Sequence, residues 1–149
     1  MHIVLYKPDI PQNTAAIIRL GACLKLKLHI IEPCGFNLSD TRFKRVVMDY
    51  MGMSKIFRYD GYDTFLKKHK NSRIVLMTTK AKKLYHKFKF KKNDMLLFGR
   101  ESEGVPEILH RRIKNKVKVP MNKKTRSLNV AMSVAIISSE ALRQNNLLK

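Results

Sequence analysis

The chain reads as an α/β protein with a mostly parallel sheet flanked by helices. Three observations point there: short apolar runs alternate with helical segments, prolines and glycines close those runs, and one long helix follows them near the end of the sequence. At 149 residues with 44% hydrophobic content, a single domain spanning 1–149 with a substantial core is the simplest organisation.

The first strand is HIVLY, residues 2–6, and the KPDIPQ that follows is a loop because Pro8 and Pro11 interrupt any ladder. Asn13-Thr14 has the chemistry of a helix N-terminus, and Ala15, Ala16, Ile17, Ile18 and Leu20 supply its turns. LHIIEP, 28–33, is a second short run closed by proline. From Asp40, a capping residue type, DTRFKRVVMDYM spaces Phe43, Val46, Val47 and Met51 on one helical face. KIFRY (55–59) predicts a strand, YDTFLKKHK (62–70) a helix, RIVLMTT (73–79) a buried strand and DMLLFG (94–99) another. A short helix is expected near Pro106 to Arg112, then KVKVP (116–120) as an exposed or edge strand, and a long helix over roughly 128–145. In such sheets ligands sit beyond the carboxyl ends of the strands, so the loops after Tyr6, Thr79, Phe98 and Pro120 are the places to look.

Charge sets the partner. A formal net charge of +20, from 31 Lys and Arg against 11 acids, is spread along the chain as on a folded basic surface rather than a tail. Self-repulsion at that charge is a standing cost that a polyanion relieves, and nucleic acid ranks ahead of membrane. Cys23 and Cys34 are not in a CxxC arrangement, and no secretory signal or apolar run of transmembrane length is present, which reads as a reduced, cytoplasmic protein. The five histidines have no metal-ligand spacing, so no metal is expected and each is a surface or packing residue.

Three segments carry candidate chemistry. FGRESEGVP, 98–106, leaves an apolar strand directly into Gly99, where the missing Cβ admits a close approach, and Gly104-Val105-Pro106 turns into a helix with proline first. It is as readily a plain connection as a ligand loop, and the chain has neither GxGxxG nor GxxxxGK[ST]. The second set is Asn13, Thr14 and Arg19; Arg19 stands among apolar helical neighbours, where an unpaired guanidinium is costly, so it should have a carboxylate or an anionic substrate as partner. The third is Arg126, Ser127 and Asn129 before the last helix: Ser127 fits an N-cap, Asn129 is unexplained by it, and a helix start with free donors is a natural ligand anchor.

Together these segments resemble the SPOUT class of RNA methyltransferases, and within it the small tRNA ribose 2′-O-methyltransferases acting at the wobble position. The resemblance rests on PDIPQNTAAIIRL (8–20), LHIIEPCGF (28–36), LMTTK (76–80), LLFGRESEGVP (96–106), VPMNKKTRSLNVAMSVAI (119–136) and EALRQ (140–144), in order and spacing. It implies a SPOUT fold with a C-terminal trefoil knot, against the general rarity of knots, and a homodimer with its site near the subunit interface and the helix over 130–142 in the contact. It implies S-adenosylmethionine as cofactor, in a pocket lined by Met77, Gly99, Val119, Met121, Ser127 and Leu128. By the same resemblance Arg19, Asn13 and Asn129 are the catalytic candidates. Arg19, Arg126, Lys123 and Lys124 are the candidates for contact with tRNA. Glu101 is expected to meet the cationic cofactor, pair with Arg19, or stand free in its loop.

Arg19 is sometimes given the role of general base in related enzymes. A guanidinium stays charged at any working pH, so the expectation here is that Arg19 holds the neighbouring phosphate and stabilises the developing alkoxide. Ala15-Ala16 stands where the subgroup usually reads Gly-Asn, and Ser139 where many members place tyrosine. Those departures keep one alternative in view, a basic RNA-binding domain without catalysis; a ribosomal RNA 2′-O-methyltransferase of the same class is the other.

Overall fold

The computed structural model describes residues 1–148, with the side chains of Met48 and Met51 outside the description. Six strands form one sheet: β1 (His2–Tyr6), β2 (Lys27–Ile31), β3 (Ile56–Tyr59), β4 (Ile74–Met77), β5 (Met95–Phe98) and β6 (Asn115–Val117), in the order β3-β2-β1-β5-β4-β6. Every pairing is parallel. The helices are α1 (Pro11–Cys23), α2 (Thr41–Met51), α3 (Tyr62–Lys68), α4 (Glu107–Arg112) and α5 (Val130–Gln144), with a single 3-10 turn at Tyr85–Lys87.

The strands are apolar on both faces because helices cover both. On one face Ile3, Leu5, Leu28, Ile30, Val75, Leu96 and Phe98 pack with Ile17 and Ile18 of α1, Phe43 and Val47 of α2, and Val134 and Ile137 of α5. The alternate residues Val4, Tyr6, Ile31, Leu76 and Leu97 meet Phe65 of α3 and Leu109 of α4 on the other. Period-two alternation therefore sorts the strands between two cores rather than between core and water. β6 lies at the sheet edge, as its alternating charges predict, although the strand begins one residue early and stops at Val117.

Three local expectations are corrected. Helix α1 starts at Pro11, not Asn13: Ile10 is its N-cap and proline occupies the first turn, where its missing N–H costs nothing. On α2 the Asp40 cap is present, accepting from the Arg42 N–H at 2.7 Å, but Val46 is 71% exposed while Phe43 and Val47 are buried. The Met51 side chain, expected on that same face, lies outside the described residues. Helix α5 starts at Val130 with Asn129, not Ser127, as its cap.

The chain runs from β1 outward through β2 and β3, then crosses to β4 and β5 on the opposite side of β1. That reversal places the switch point between β1 and β5, beyond whose carboxyl ends a ligand crevice is expected.

Candidate functional site

A cavity of ≈ 480 Å³ opens there. Its walls come from the loops after β1 (Ile10, Asn13), β4 (Met77 to Lys80), β5 (Phe98 to Val105) and β6 (Val117 to Val119, Met121), closed by Ser127 to Val130 and by Ser133 and Ile137 of α5. The volume suits a cofactor-sized ligand. Four loops expected from the strand pattern thus meet at one place, and all of Met77, Gly99, Val119, Met121, Ser127 and Leu128 line it.

Gly99 is required by geometry. A Cβ at that position would lie 2.5 Å from the carbonyl carbon of Gly104 and 2.6 Å from its Cα. The close approach comes from a two-bond bridge: Arg100 N–H donates to the Gly104 carbonyl at 3.0 Å, and Gly104 N–H donates back to Arg100 at 2.9 Å. Gly104 itself has φ +72°, a left-handed conformation that glycine adopts without penalty. The loop is therefore a closed turn that holds Glu101, Ser102 and Glu103 over the cavity.

Two polar linkages fasten this turn to the β1–α1 loop. Asp9 accepts from Arg100 Nε at 3.0 Å and from the Ser102 hydroxyl at 2.6 Å, and these partners, Arg100 foremost, hold the Asp9 carboxyl down at about 2. Glu101 accepts from the Asp9 N–H at 2.8 Å and from Asn13 Nδ2 at 3.1 Å. Glu101 thus has a structural partner set rather than Arg19. Its carboxylate still reaches the cavity wall, where it adds negative charge.

Asn129 completes the junction. Its Oδ1 accepts from the Ala131 and Met132 N–H groups at 2.8 and 3.3 Å, capping α5, while its Nδ2 donates to Asn13 Oδ1 at 2.9 Å. One amide therefore starts a helix and ties it to the first one. Asn13, Glu101 and Asn129, the polar residues of three distant segments, form one hydrogen-bonded chain. Asn129 had no account as an ordinary helix residue, and its capping role follows from the later start of α5. Ser127 is exposed and lines the cavity instead.

Arg19 is placed elsewhere. It lies on the exposed face of α1 with its guanidinium 5.1 Å from the centre of the Tyr50 ring, and it is not among the cavity-lining residues. An aromatic face in place of a carboxylate explains how a cation sits on this helix, and no burial cost arises because the side chain reaches water. Gln12, Ala16, Arg19 and Cys23 form one exposed helical stripe. Lys123, Lys124 and Arg126 are likewise exposed, on the segment between the cavity residues Met121 and Ser127.

Three of the histidines, His2, His29 and His69, pack in a chain that spacing does not reveal, while His86 is exposed and His110 lines the cavity. His2 Nδ1 lies 2.8 Å from His29 Nε2, His29 Nδ1 lies 2.8 Å from Tyr59 OH, and Tyr59 OH lies 2.9 Å from His69 Nε2. Burial, reinforced by the neighbouring cations, pushes His29 down to about 3 and His2 to about 4. Among the described residues no group of three or more His, Cys, Asp or Glu could hold a metal ion, and no helix is long and apolar enough to cross a membrane.

A parallel sheet whose carboxyl edge opens at its switch point onto a loop-walled cavity has the layout of an α/β enzyme that holds a small cofactor. The chain belongs to the SpoU rRNA methylase family, whose model matches residues 1–139. It is 44% identical over 144 residues to the tRNA (cytidine(34)-2′-O)-methyltransferase of Beijerinckia indica, covering 95% of this chain and 90% of that one. The protein of the same name from Escherichia coli K12 is 36% identical, covering 97% and 93%. A solved structure bearing on the 2-OH methylation of C/U34 on tRNA superposes with a TM-score of 0.92 at 36% identity, covering 97% and 95%. An AdoMet-bound rRNA methyltransferase from Sinorhizobium meliloti shares the fold, with a TM-score of 0.88 at 22% identity, and this chain spans 57% of it.

Proposed function

We infer that the chain, as one domain over residues 1–149, transfers a methyl group from S-adenosylmethionine to the ribose 2′-hydroxyl of nucleotide 34, the wobble position of tRNA. The observation that carries this reading is the Asn13–Glu101 and Asn13–Asn129 junction, which gathers the three motif segments around one cavity. The relatives named for methylation of cytidine 34 match nearly end to end, which supports tRNA over ribosomal RNA as substrate.

The residues present suit such a cofactor. Met77, Val119, Met121 and Leu128 offer apolar contact to an adenosyl group, Gly99 lets it approach the backbone of the 99–104 turn, and Glu101 and Glu103 put carboxylates near a cation. When bound, S-adenosylmethionine supplies an electrophilic methyl group on a sulfonium. The chain's own task is to align the 2′-oxygen in a water-poor pocket and to stabilise the charge that develops on it. The knot implied by the resemblance belongs to this reading, as the scaffold that brings the 99–104 turn and residues 119–128 together.

Arg19 lies off the cavity wall of its own protomer, so in this reading it acts in a homodimer. The exposed α1 stripe, Leu128 just before α5 and Met132 in its first turn, 39% and 57% exposed, form the face for a second copy. There Arg19 clasps the phosphate beside the reacting ribose, and the proton leaves through a phosphate oxygen or water. Asn13 and Asn129 hold the site in register, and Lys123, Lys124 and Arg126 face the RNA. The test is mass spectrometry of tRNA nucleosides from cells with and without the gene. Loss of one 2′-O-methyl nucleoside at position 34 is expected, and an unchanged tRNA profile overturns the reading. In the same assay Arg19→Lys should lose most activity, because a lysine cannot make the bidentate contact.

A further inference from the structure

We propose that the segment joining β4 to β5 is a phosphate track for the backbone of the tRNA substrate, a reading that rests on the function proposed above. Residues 78–93 hold seven of the chain's 31 Lys and Arg (Lys80, Lys82, Lys83, Lys87, Lys89, Lys91 and Lys92) and no acid. Only Lys80 has an ion-pair partner among the described residues, Glu107 at 3.5 Å. Lysines spread for solubility would be interleaved with acids on both sides of the fold. In this segment no acid interrupts them.

The segment is built to present them. Ala81, Phe88 and Phe90 are buried while Lys87, Lys89 and Lys91 are exposed, so the K-F-K-F-K alternation drives the rings inward and the ammonium groups outward. Lys87 ends the 3-10 turn and Phe88 is extended (φ −97°, ψ 134°), so the chain leaves the turn with Lys89 and Lys91 on its outer side. The backbone is clamped from behind: Gln144 donates to the Phe88 carbonyl at 3.0 Å and accepts from the Phe90 N–H at 2.9 Å. Arg73 donates to the Lys89 carbonyl at 3.0 Å, and Asp94 accepts from the Lys91 N–H at 2.8 Å. The acid packed behind it, Glu140, is taken up by Arg143 and Gln144. A row of cations on a rigid backbone loses little entropy when it meets a polyanion.

The track also leads to the cavity. Lys80 and Lys118 line the cavity, and Lys118 is joined to the segment by two backbone bonds, to Lys83 at 3.0 Å and from Tyr85 at 2.9 Å. RNA laid along Lys91, Lys89 and Lys87 is thereby directed past Lys118 and Lys80 to the cavity.

The test compares three proteins with bulk cellular tRNA: wild type, the triple variant Lys87→Ala/Lys89→Ala/Lys91→Ala, and a control triple at the end of α3 and just beyond it, Lys67→Ala/Lys68→Ala/Lys70→Ala. Each removes the same charge. The track variant should bind tRNA at least tenfold more weakly, with the slope of log K against log salt reduced by about two, as expected for three lost phosphate contacts. Its thermal midpoint and its calorimetric affinity for S-adenosylmethionine should stay at wild-type values. An unchanged tRNA affinity, or an equal loss in the control triple, overturns the proposal. Wild-type methyl transfer to the same tRNA is measured in parallel. If it occurs and the track variant matches it at every salt concentration, only the track is wrong; if wild type neither binds nor methylates tRNA, the functional reading and the track fall together.

Discussion

Replacing Asn129 by alanine removes two interactions that the structure assigns to one amide. The first is the cap on α5, where Oδ1 accepts from Ala131 and Met132, and losing such a cap costs about 1 kcal/mol. The second is the donor to Asn13 Oδ1, on a residue only 9% exposed, and an acceptor stranded in that setting costs about 1–3 kcal/mol. The sum is about 2–4 kcal/mol, which for a chain of this size lowers the melting temperature by about 10 °C. Asn129→Asp separates the parts. It keeps the cap, but its carboxylate cannot donate, and Asn13 already offers its amide nitrogen to Glu101. Equilibrium urea unfolding of both variants, alone and combined with Asn13→Ala, reads the coupling directly. Asn129→Asp should fall between wild type and Asn129→Ala, and its penalty should shrink once Asn13 is gone. Strict additivity of the two sites would refute the junction, and a cost below about 0.5 kcal/mol for Asn129→Ala would refute the cap as well.

Three further perturbations test other parts of the structure. Gly99→Ala must push a methyl group into the Gly104 backbone and open the Arg100–Gly104 bridge, so calorimetry should show S-adenosylmethionine affinity reduced at least tenfold; wild-type affinity would mean the 99–104 turn does not shape the cavity. Asp94→Ala removes the buried carboxylate that lies 2.6 Å from both Nε and Nη2 of the partly exposed Arg73, and chemical denaturation should report a loss of about 2–3 kcal/mol. The histidine chain sets a pH dependence. His29 is held neutral in the fold, with its value lowered to about 3, so its contribution is intact above the unfolded value of about 6.5. It is lost as pH falls from there toward 3, because the unfolded chain takes up a proton that the folded chain refuses. For His29 alone the loss at pH 5 is about 2 kcal/mol. Unfolding free energies at pH 7 and pH 5 should differ by at least that much in wild type and by clearly less in His29→Gln; identical slopes would remove His29 from the account.

Much of this architecture is legible in residue order. Apolar runs of four or five residues closed by proline or glycine mark the strands, and their alternation with helices predicts the parallel sheet and the loops where the cavity lies. Position within a helix is less legible. Pro11 and Asn13 both suit a helix start, and Ser127 and Asn129 both suit a cap; what decides between them is which side chain meets a partner about a hundred residues away. The same limit applies to Arg19, whose apolar sequence neighbours suggest burial although the helix turns it to the solvent beside Tyr50. The histidine chain is hidden for a related reason, since strand register and the fold of α3, not spacing, bring His2, His29 and His69 together.

The cavity walls come from residues as early as Ile10 and as late as Ile137, and the Asn13–Asn129 bond spans 116 positions. During synthesis, then, the first helix is made well before the segment that closes the site against it. At about 5–20 residues per second, the interval between them is on the order of ten seconds. Over that time β1 and β2 can pair and collapse, but no chain short of residue 129 can hold the junction together. Ligand binding by the nascent protein is therefore a report that synthesis has passed the α5 residues that close the cavity, and a ribosome stalled before that point carries a sheet with no site.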